Sequence, residues 1–326
     1  MSKKDIARRT FIKRAAIGTG LSALFSGIYI AFKGKGISLD DSDQAPVTLK
    51  PRTFLPPEKP LFVVARGKDP ARLAEAALEA HGGLAATISK GDTVLLKPNI
   101  GWDRPARTAA NTNPQIVRTV AERCVEAGAK KVIVSDNSCN NPARCFDRSG
   151  IRKELAGLPV DLLIPTERDF VEVDVGGETV KKWPVLRAYF ECDRLINLPV
   201  AKHHSSAVLT LGMKNWYGIL GGGRLRGQLH QEMATGIVDL AQFARPDLTL
   251  LDAFRVIFRN GPQGGSLADT KDLHTVALSA DPVAVDAFGA TLFGLQPQQV
   301  PFIPAAVDRG LGRADYTSLD PIEVEV

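Results

Sequence analysis

From Leu61 onwards, short apolar runs of strand length alternate with amphipathic segments, and this alternation limits the possible folds more than any other feature of the sequence. It is typical of a mainly parallel sheet whose strands are joined by covering helices. The sequence therefore predicts an α/β fold, with a mainly parallel sheet and helices on both faces. The runs are LFVVARG (61–67), TVLLKPNI (93–100), KVIVSDNS (131–138), VDLLIP (160–165), RLINLPVAKHH (194–204), LTLLDAF (248–254) and HTVALSA (274–280).

Local signals mark where helices begin and where the chain departs from the parallel pattern. Asp69-Pro70, Asn113-Pro114 and Asp281-Pro282 each place a capping side chain before a proline at the first helical position. The segment FVEVDVGGETVKKW (170–183) instead predicts a small antiparallel hairpin that turns at its glycine pair.

Positive charge is concentrated at the amino terminus. The chain of 326 residues has a net charge of +5, but residues 1–37 contain eight lysines and arginines against one acid, Asp5. The rest of the chain is slightly acidic. This distribution argues against a nucleic-acid-binding surface.

The amino-terminal segment resembles a twin-arginine export signal. Arg8-Arg9 precede Thr10-Phe11-Ile12-Lys13, and an uncharged run then extends to Phe32. The alternative is a plain membrane anchor, because this run approaches the roughly 20 residues that span a bilayer. We therefore expect a signal or anchor over 1–37, a proline-rich linker over 38–60 and one α/β domain over 61–326. The twin-arginine machinery would be a partner, and the protein would function in the periplasm or at the outer membrane face, touching the membrane only through its amino-terminal segment.

Polar side chains follow several of the apolar runs at their carboxyl ends. In open α/β sheets, ligands bind in the crevice outside the carboxyl ends of the strands, so these side chains are expected to share one site. A helix predicted over 206–220 would turn Thr210 and Lys214 towards them. The strand-end residues are Lys97, Asn99, Asp136, Asn137, Lys202, His203, His204 and Asp252.

The four cysteines have no spacing typical of a metal site. Cys124, Cys139, Cys145 and Cys192 form neither a C-x-x-C pair nor a ferredoxin-like run, so no iron–sulfur cluster is expected. Cys139 and Cys145 flank a turn and could form a disulfide in an oxidising compartment, or remain as two thiols.

Four stretches together resemble the prokaryotic family named domain of unknown function 362. They are LLKPNI (95–100), TNPQIVRTVAERCVEAGAKKVIVSDN (112–137), LPVAKHHSSAVLTLGMKNWYGILGGG (198–223) and SADPVAVDAFGATLFGL (279–295). The resemblance implies the same fold class over about residues 61–315. Many relatives also carry cysteine runs for four-iron four-sulfur clusters, which this chain lacks. The positions that match the family are Lys97, Asn99, Asp136, Lys202, His203, Lys214 and Asn215.

Two functions fit these residues. The first is an enzyme acting on a small anionic substrate, with catalytic groups among His203, Lys214, Lys97 and Asp252. The glycine run at 221–223 would bring backbone N–H groups to the anion. The expected ligand-binding residues are Asn99, Asp136, Lys202, Asn215, Gly221 and Gly222.

The second function is a non-catalytic protein that holds a small molecule or metal for an exported partner. A divalent metal would be its cofactor. Imidazole and carboxylate groups are suitable ligands for such a cation. The candidate metal ligands are His203, His204, Asp136 and Asp252.

Overall fold

The computed structural model describes residues 60–326, apart from the side chains of 224 and 225. The expected export signal (1–37) and nearly all of the expected linker (38–60) lie outside the described residues. Between residues 60 and 326, no helix is both long enough and apolar enough to cross a membrane.

The centre of the fold is a mixed sheet in which most neighbouring strands are parallel. Its path is β12-β1-β11-β10-β7-β2-β3-β4; β8 also pairs with β10, and β9 pairs with β8. β11 runs antiparallel to both of its neighbours, β1 and β10. The separate hairpin β5–β6 forms the predicted antiparallel addition. The strands are β1 (Phe62–Arg66), β2 (Thr93–Pro98), β3 (Lys131–Ser135), β4 (Asp161–Leu163), β5 (Phe170–Asp174), β6 (Lys182–Leu186), β7 (Arg194–Leu198), β8 (Val200–His204), β9 (Val208–Thr210), β10 (Leu248–Ile257), β11 (Thr270–Ser279) and β12 (Ile322–Glu325).

The helices begin where the capping signals predict. Asp69 and Asp281 each accept hydrogen bonds from two backbone N–H groups of the first turn, and Asn113 accepts one. These side chains satisfy donors that the helix itself leaves unpaired. The α-helices are α1 (Pro70–Ala80), α2 (Pro114–Glu126), α3 (Pro142–Arg148), α4 (Ile151–Leu155), α5 (Arg187–Glu191), α6 (Met233–Phe243), α7 (Pro282–Leu292) and α8 (Phe302–Asp308).

Helices cover both faces of the sheet, as predicted. Successive side chains of a strand point to opposite faces, and β1 shows this clearly. Phe62 packs in one apolar core with residues of α6, α7 and α8. Val63 packs in a second core with residues of α1 and α2. The α/β fold class is therefore confirmed.

The stretch that follows β7 departs from the sequence-based prediction. The run 194–204 divides at Pro199 into β7 and β8. The helix predicted over 206–220 is wrong, because the chain turns at 205–207 into the short antiparallel strand β9 and then forms a 3₁₀ helix at Met213–Ile219. The His204 ring accounts for the turn, since Nδ1 accepts hydrogen bonds from the backbone N–H groups of Ser206 and Ala207.

Candidate functional site

A cavity of about 1310 Å³ opens at the carboxyl ends of β2, β3 and β8. These strand ends supply Asn99, Asp136, Lys202 and His204, while the 3₁₀ helix and the following glycine run supply much of the opposite wall. The further lining residues used below are Gly101, Cys139, Phe170, Thr210, Lys214, Asn215, Tyr217, Gly218, Gly221, Gly222, Arg226, His230 and Pro262.

A buried ion pair lies beneath one side of this cavity. Lys97 Nζ is 2.7 Å from Asp136 Oδ1, and both side chains are almost fully buried. Lys97 Nζ also donates to Pro98 O, and Asp136 Oδ2 accepts from Ile100 N at 2.5 Å. Burial lowers the pKa of Lys97, and the charge of Asp136 opposes that effect. The pair thus joins the ends of β2 and β3 in a fixed geometry.

Asparagine side chains connect the ion pair to the rest of the site. Asn215 Nδ2 donates to Lys97 O and to Asn197 Oδ1, both at 2.9 Å. Its Oδ1 accepts from Asn99 Nδ2 at 3.1 Å. Because both ends of the Asn215 amide are bonded, the 3₁₀ helix is fixed against β2 and β7.

Lys202 is a fully buried amine held by two acceptors. Its Nζ donates to Asn99 Oδ1 at 3.0 Å and to Ala110 O at 2.6 Å. Burial lowers the pKa of Lys202 to about 7, with a further lowering from the charge of Lys214. Among the described residues it has no carboxylate within ion-pairing distance. Its ammonium form therefore loses its proton readily near neutral pH.

Lys214 is the second buried cation of the cavity. Its Nζ lies over the Tyr217 ring, 4.6 Å from the centroid, and no acidic side chain of the described part of the chain forms an ion pair with it. Burial lowers the pKa of Lys214 to about 8. An ammonium group with so little compensation can be stabilised by an anionic ligand.

Asp286 positions the 3₁₀ helix that carries Lys214. Its carboxylate accepts from Gly212 N at 2.6 Å and from Met213 N at 2.9 Å, although it belongs to α7. Burial raises the pKa of Asp286 to about 7. Asp286 was not among the residues predicted from the sequence, although a carboxylate within the apolar run PVAVDAFGATL (282–292) is a signal for it.

The two adjacent histidines have different positions. Lys202 and His204 line the cavity, whereas His203 does not. His203 Nδ1 instead accepts a hydrogen bond from Gly261 N at 3.2 Å. The period of two along β8 explains the difference, because alternate residues of a strand share a face. The expectation that His203 lies in the same pocket as Lys214 is not met.

His204 is an uncharged ring held in one orientation. Because its Nδ1 accepts the two backbone hydrogen bonds of the turn, we assign the ring proton to Nε2. Burial lowers the pKa of His204 to about 3, and Lys214, His230 and Lys202 add to the effect. The ring can therefore donate a hydrogen bond to a ligand but is not suited to carry a proton.

Asp252 likewise lies outside the cavity lining. Its Oδ2 accepts from Asn113 N at 2.7 Å and its Oδ1 accepts from Phe254 N at 3.0 Å. Burial raises the pKa of Asp252 to about 6, and these two N–H groups oppose the rise. The carboxylate thus connects the start of α2 to β10, and the expectation that it shares the pocket is not met.

The candidate metal ligands do not converge. Two of the four expected residues, His203 and Asp252, lie outside the cavity lining. Within residues 60–326, no group of three or more histidine, cysteine, aspartate or glutamate side chains is arranged to hold a metal ion.

The glycine run and Arg226 complete the cavity wall. Gly221 packs so closely that an added Cβ would lie 2.8 Å from the Phe170 ring, and Gly222 has a positive φ of 82°. Arg226 Nη1 donates to Asn137 O at 3.1 Å, which brings its guanidinium to the end of β3. His230 stacks near His204, with ring centroids 6.3 Å apart.

Comparison with known proteins identifies relatives of the chain. A family model described as a domain of unknown function (DUF362) matches residues 94–291. A thylakoid-associated protein of Synechocystis sp. is 30% identical in an alignment of 247 positions, which covers 72% of this chain and 73% of that protein.

Two solved structures are similar to part of the chain. The lactate racemase apoprotein from Thermoanaerobacterium thermosaccharolyticum has a TM-score of 0.46 and 13% identity, with 74% of this chain and 58% of that chain covered. A protein from Thermotoga maritima has a TM-score of 0.36 and 10% identity, with 74% and 60% covered. The chain thus spans less than two thirds of either solved chain. The family match and the Synechocystis relative show that the chain belongs to the domain of unknown function (DUF362) family.

Proposed function

We propose that the protein is an enzyme that binds a small anionic substrate in the cavity at the carboxyl ends of the strands and moves a proton on it. The observation that carries the proposal is Lys202, a buried amine without a carboxylate partner among the described residues, with a pKa lowered to about 7. An amine of this kind is partly unprotonated at neutral pH and can serve as a general base.

The contacts of Lys202 favour this role. A neutral amine has two N–H bonds and one lone pair. Asn99 Oδ1 and Ala110 O accept two hydrogen bonds from Nζ. The lone pair is therefore directed to the remaining tetrahedral position, and Lys202 lines the cavity. Holding the base in one orientation reduces the loss of freedom on the way to the transition state.

The anionic group of the substrate would be bound by Lys214, Arg226 and His204. Lys214 keeps its proton to a higher pH than Lys202, since its pKa is about 8 rather than about 7. The two lysines can therefore hold different protonation states at the same pH. Such a pair suits an anion-binding cation beside a neutral base.

We expect a bell-shaped pH dependence for proton exchange between substrate and solvent. The rate should rise as pH increases through about 7, where Lys202 loses its proton, and fall through about 8, where Lys214 does. The measurement is ¹H NMR in D₂O, following loss of the C–H signal next to the anionic group in a panel of small carboxylates and phosphate esters.

A matched pair of lysine variants tests the assignment of the base. Lys202→Met should lower the exchange rate by about 10²-fold or more, as expected for loss of a general base. Lys153→Met, at an exposed position of α4, should leave it unchanged. If the wild-type protein binds panel members but exchanges no proton on any of them, the non-catalytic binding function is the better one.

The adjacent histidines provide a second matched pair. His204→Asn keeps a side-chain acceptor for the turn but removes the Nε2–H donor, so it should weaken anion binding by about 1.5–3 kcal/mol. His203→Asn should leave the affinity unchanged, because that side chain contacts Gly261 instead. Titration calorimetry with inorganic phosphate and small carboxylates gives both affinities. Equal losses of affinity in the two variants would contradict the placement of His204 in the cavity lining and of His203 outside it.

A further inference from the structure

We propose that Cys139 is the nucleophile of this cavity, and that it adds to a carbonyl carbon next to the anionic group of the bound ligand. The proposal rests on the proposed function, because it requires an anion at the same site. It names the substrate class more closely, as a small anion that carries an aldehyde or ketone group. The Cys139 sulfur lies beside Arg226 and Gly101, in the cavity that Lys202 and Lys214 also line.

Cys139 differs from the other cysteines in its exposure. Cys124, Cys145 and Cys192 are buried, whereas Cys139 is exposed and lines the cavity. Burial raises the pKa of the thiols of Cys124 and Cys145. A ligand in the cavity can thus reach the thiol of Cys139, and the three buried cysteines provide internal controls.

The position of Cys139 is fixed by contacts on both sides. Its backbone N–H donates to Gly101 O at 2.9 Å. Arg226 Nη2 donates to its Sγ at 3.6 Å, while Nη1 of the same guanidinium donates to Asn137 O. A guanidinium beside the sulfur also lies close to the oxygen of any carbonyl that the sulfur attacks, and it would stabilise negative charge there.

Gly101 lies close to both Cys139 and Asn99, the residue that holds Lys202. A Cβ added at Gly101 would lie 3.8 Å from Cys139 Sγ and 3.7 Å from Asn99 Oδ1. Asn99 Oδ1 in turn accepts the hydrogen bond of Lys202 Nζ at 3.0 Å. The sulfur and the residue that holds the proposed base therefore both lie near Gly101, which itself lines the cavity.

Lys214 independently indicates that an anion binds in this cavity. Its side chain is only 8% exposed, it forms no ion pair among the described residues, and it lines the same cavity as Cys139. A ligand whose anionic group neutralises Lys214 would lie in the same cavity as the sulfur. The thiol and the anion site can therefore act on one small molecule.

The covalent step is balanced without another reactant. The sulfur forms a C–S bond to the carbonyl carbon as the π bond of the C=O group breaks. The proton of the thiol ends on the carbonyl oxygen, and Lys202 can carry it between the two atoms. The product is a thiohemiacetal, and reversal of the same steps releases the ligand.

Alkylation with a charged and an uncharged reagent tests the proposal. Iodoacetate carries the anion that the cavity should attract, whereas iodoacetamide is its neutral counterpart. In both reactions the sulfur forms a bond to carbon, iodide leaves, and the thiol proton passes to solvent. Peptide mapping by mass spectrometry gives the rate at each cysteine, with a cysteine-containing peptide in the same tube as the reference thiol.

We expect the iodoacetate-to-iodoacetamide rate ratio at Cys139 to exceed that of the reference peptide by about tenfold or more, since local charge raises the association rate of an anion. Lys214→Met should reduce the ratio several-fold towards the reference value, while Arg226 retains part of the preference and iodoacetamide still labels Cys139. Lys153→Met should retain the wild-type ratio. A second experiment uses ¹³C-labelled glyoxylate and ¹³C NMR. A thiohemiacetal signal should appear in the wild-type protein and be absent from Cys139→Ser.

Two results would overturn the proposal. One is a wild-type ratio equal to that of the reference peptide, and the other is a glyoxylate adduct that persists in Cys139→Ser. If substrate proton exchange still proceeds in Cys139→Ser at the wild-type rate, the nucleophile is wrong but the proposed function stands. If neither anion binding nor exchange is found in the wild-type protein, the proposed function itself fails.

Discussion

Lys214→Met should make the protein more stable while it abolishes tight anion binding. The ammonium group is buried without a carboxylate partner among the described residues, and its pKa is lowered to about 8. Methionine has a similar length and removes the buried charge, so we expect the free energy of unfolding near pH 7 to rise by about 1–4 kcal/mol. Loss of the buried cation should weaken anion binding by about 2–5 kcal/mol.

The stability gain should depend on pH in a defined direction. The pKa of Lys214 is about 8 in the folded protein, whereas its ordinary pKa in an unfolded chain is 10.5. Between these two pH values the unfolded chain therefore binds more protons than the folded protein. The contribution of Lys214 to the free energy of unfolding of the wild-type protein therefore becomes more favourable as pH increases from about 8 to 10.5. The difference between wild type and Lys214→Met should shrink over the same interval.

Urea unfolding of both proteins near pH 7 and near pH 10 measures this effect. Lys153→Met is the control, because the same substitution at an exposed position should change stability by no more than about 0.5 kcal/mol. A Lys214→Met protein that is less stable than wild type near pH 7 would show that the ammonium group and its contact with Tyr217 hold the fold together.

The sheet and the location of the site were predictable because they depend on local patterns. Apolar runs of strand length identified the parallel strands β2, β3, β4, β7 and β10, and proline after a capping residue identified the starts of α1, α2 and α7. Parallel strands bring their carboxyl ends to one edge of the sheet. For this reason Asn99, Asp136 and Lys202 were expected together, and the structure places them in one cavity.

The faces of β8 were not predictable because they depend on register. A shift of one residue in a strand exchanges every side chain between the two faces. The sequence does not state that the strand begins again after Pro199, nor that Lys202 pairs with Thr210 across a hairpin. The residues that neighbour His203 and His204 in sequence therefore do not indicate which of the two side chains faces the cavity.

Residues that act over long sequence distances were also missed. Asp286 accepts hydrogen bonds from Gly212 N and Met213 N, which lie 74 and 73 residues earlier in the sequence, and its neighbours in α7 are apolar. Arg226 meets Cys139 across 87 residues of sequence. Local propensity and spacing carry no information about such pairs, because tertiary folding alone brings them together.

Gly218→Ala should be the most destabilising small substitution near the cavity. A Cβ at this position would lie 1.8 Å from Asp136 Oδ1 and 2.6 Å from Lys97 Nζ. The Asp136 carboxylate cannot move away easily, because its Oδ2 accepts a hydrogen bond from Ile100 N. The backbone of Gly218 is also held in place, because its carbonyl accepts a hydrogen bond from Asn137 N. Separation of a buried ion pair typically costs about 3–5 kcal/mol, so we expect a loss of that size in urea unfolding.

Gly265→Ala is the matched control for Gly218→Ala, because a Cβ there would meet nothing within 4 Å. It should change stability by less than about 1 kcal/mol. If the two alanine variants unfold alike, the ion pair is not held as the geometry indicates. The double replacement Lys97→Ala and Asp136→Ala supplies a background that lacks both the buried charges and the side-chain atoms that the added Cβ would meet. In that background Gly218→Ala should cost less than about 1 kcal/mol, because the loss in the wild-type protein arises from its coupling to the pair. An undiminished loss there would instead locate the strain in the backbone of the 3₁₀ helix.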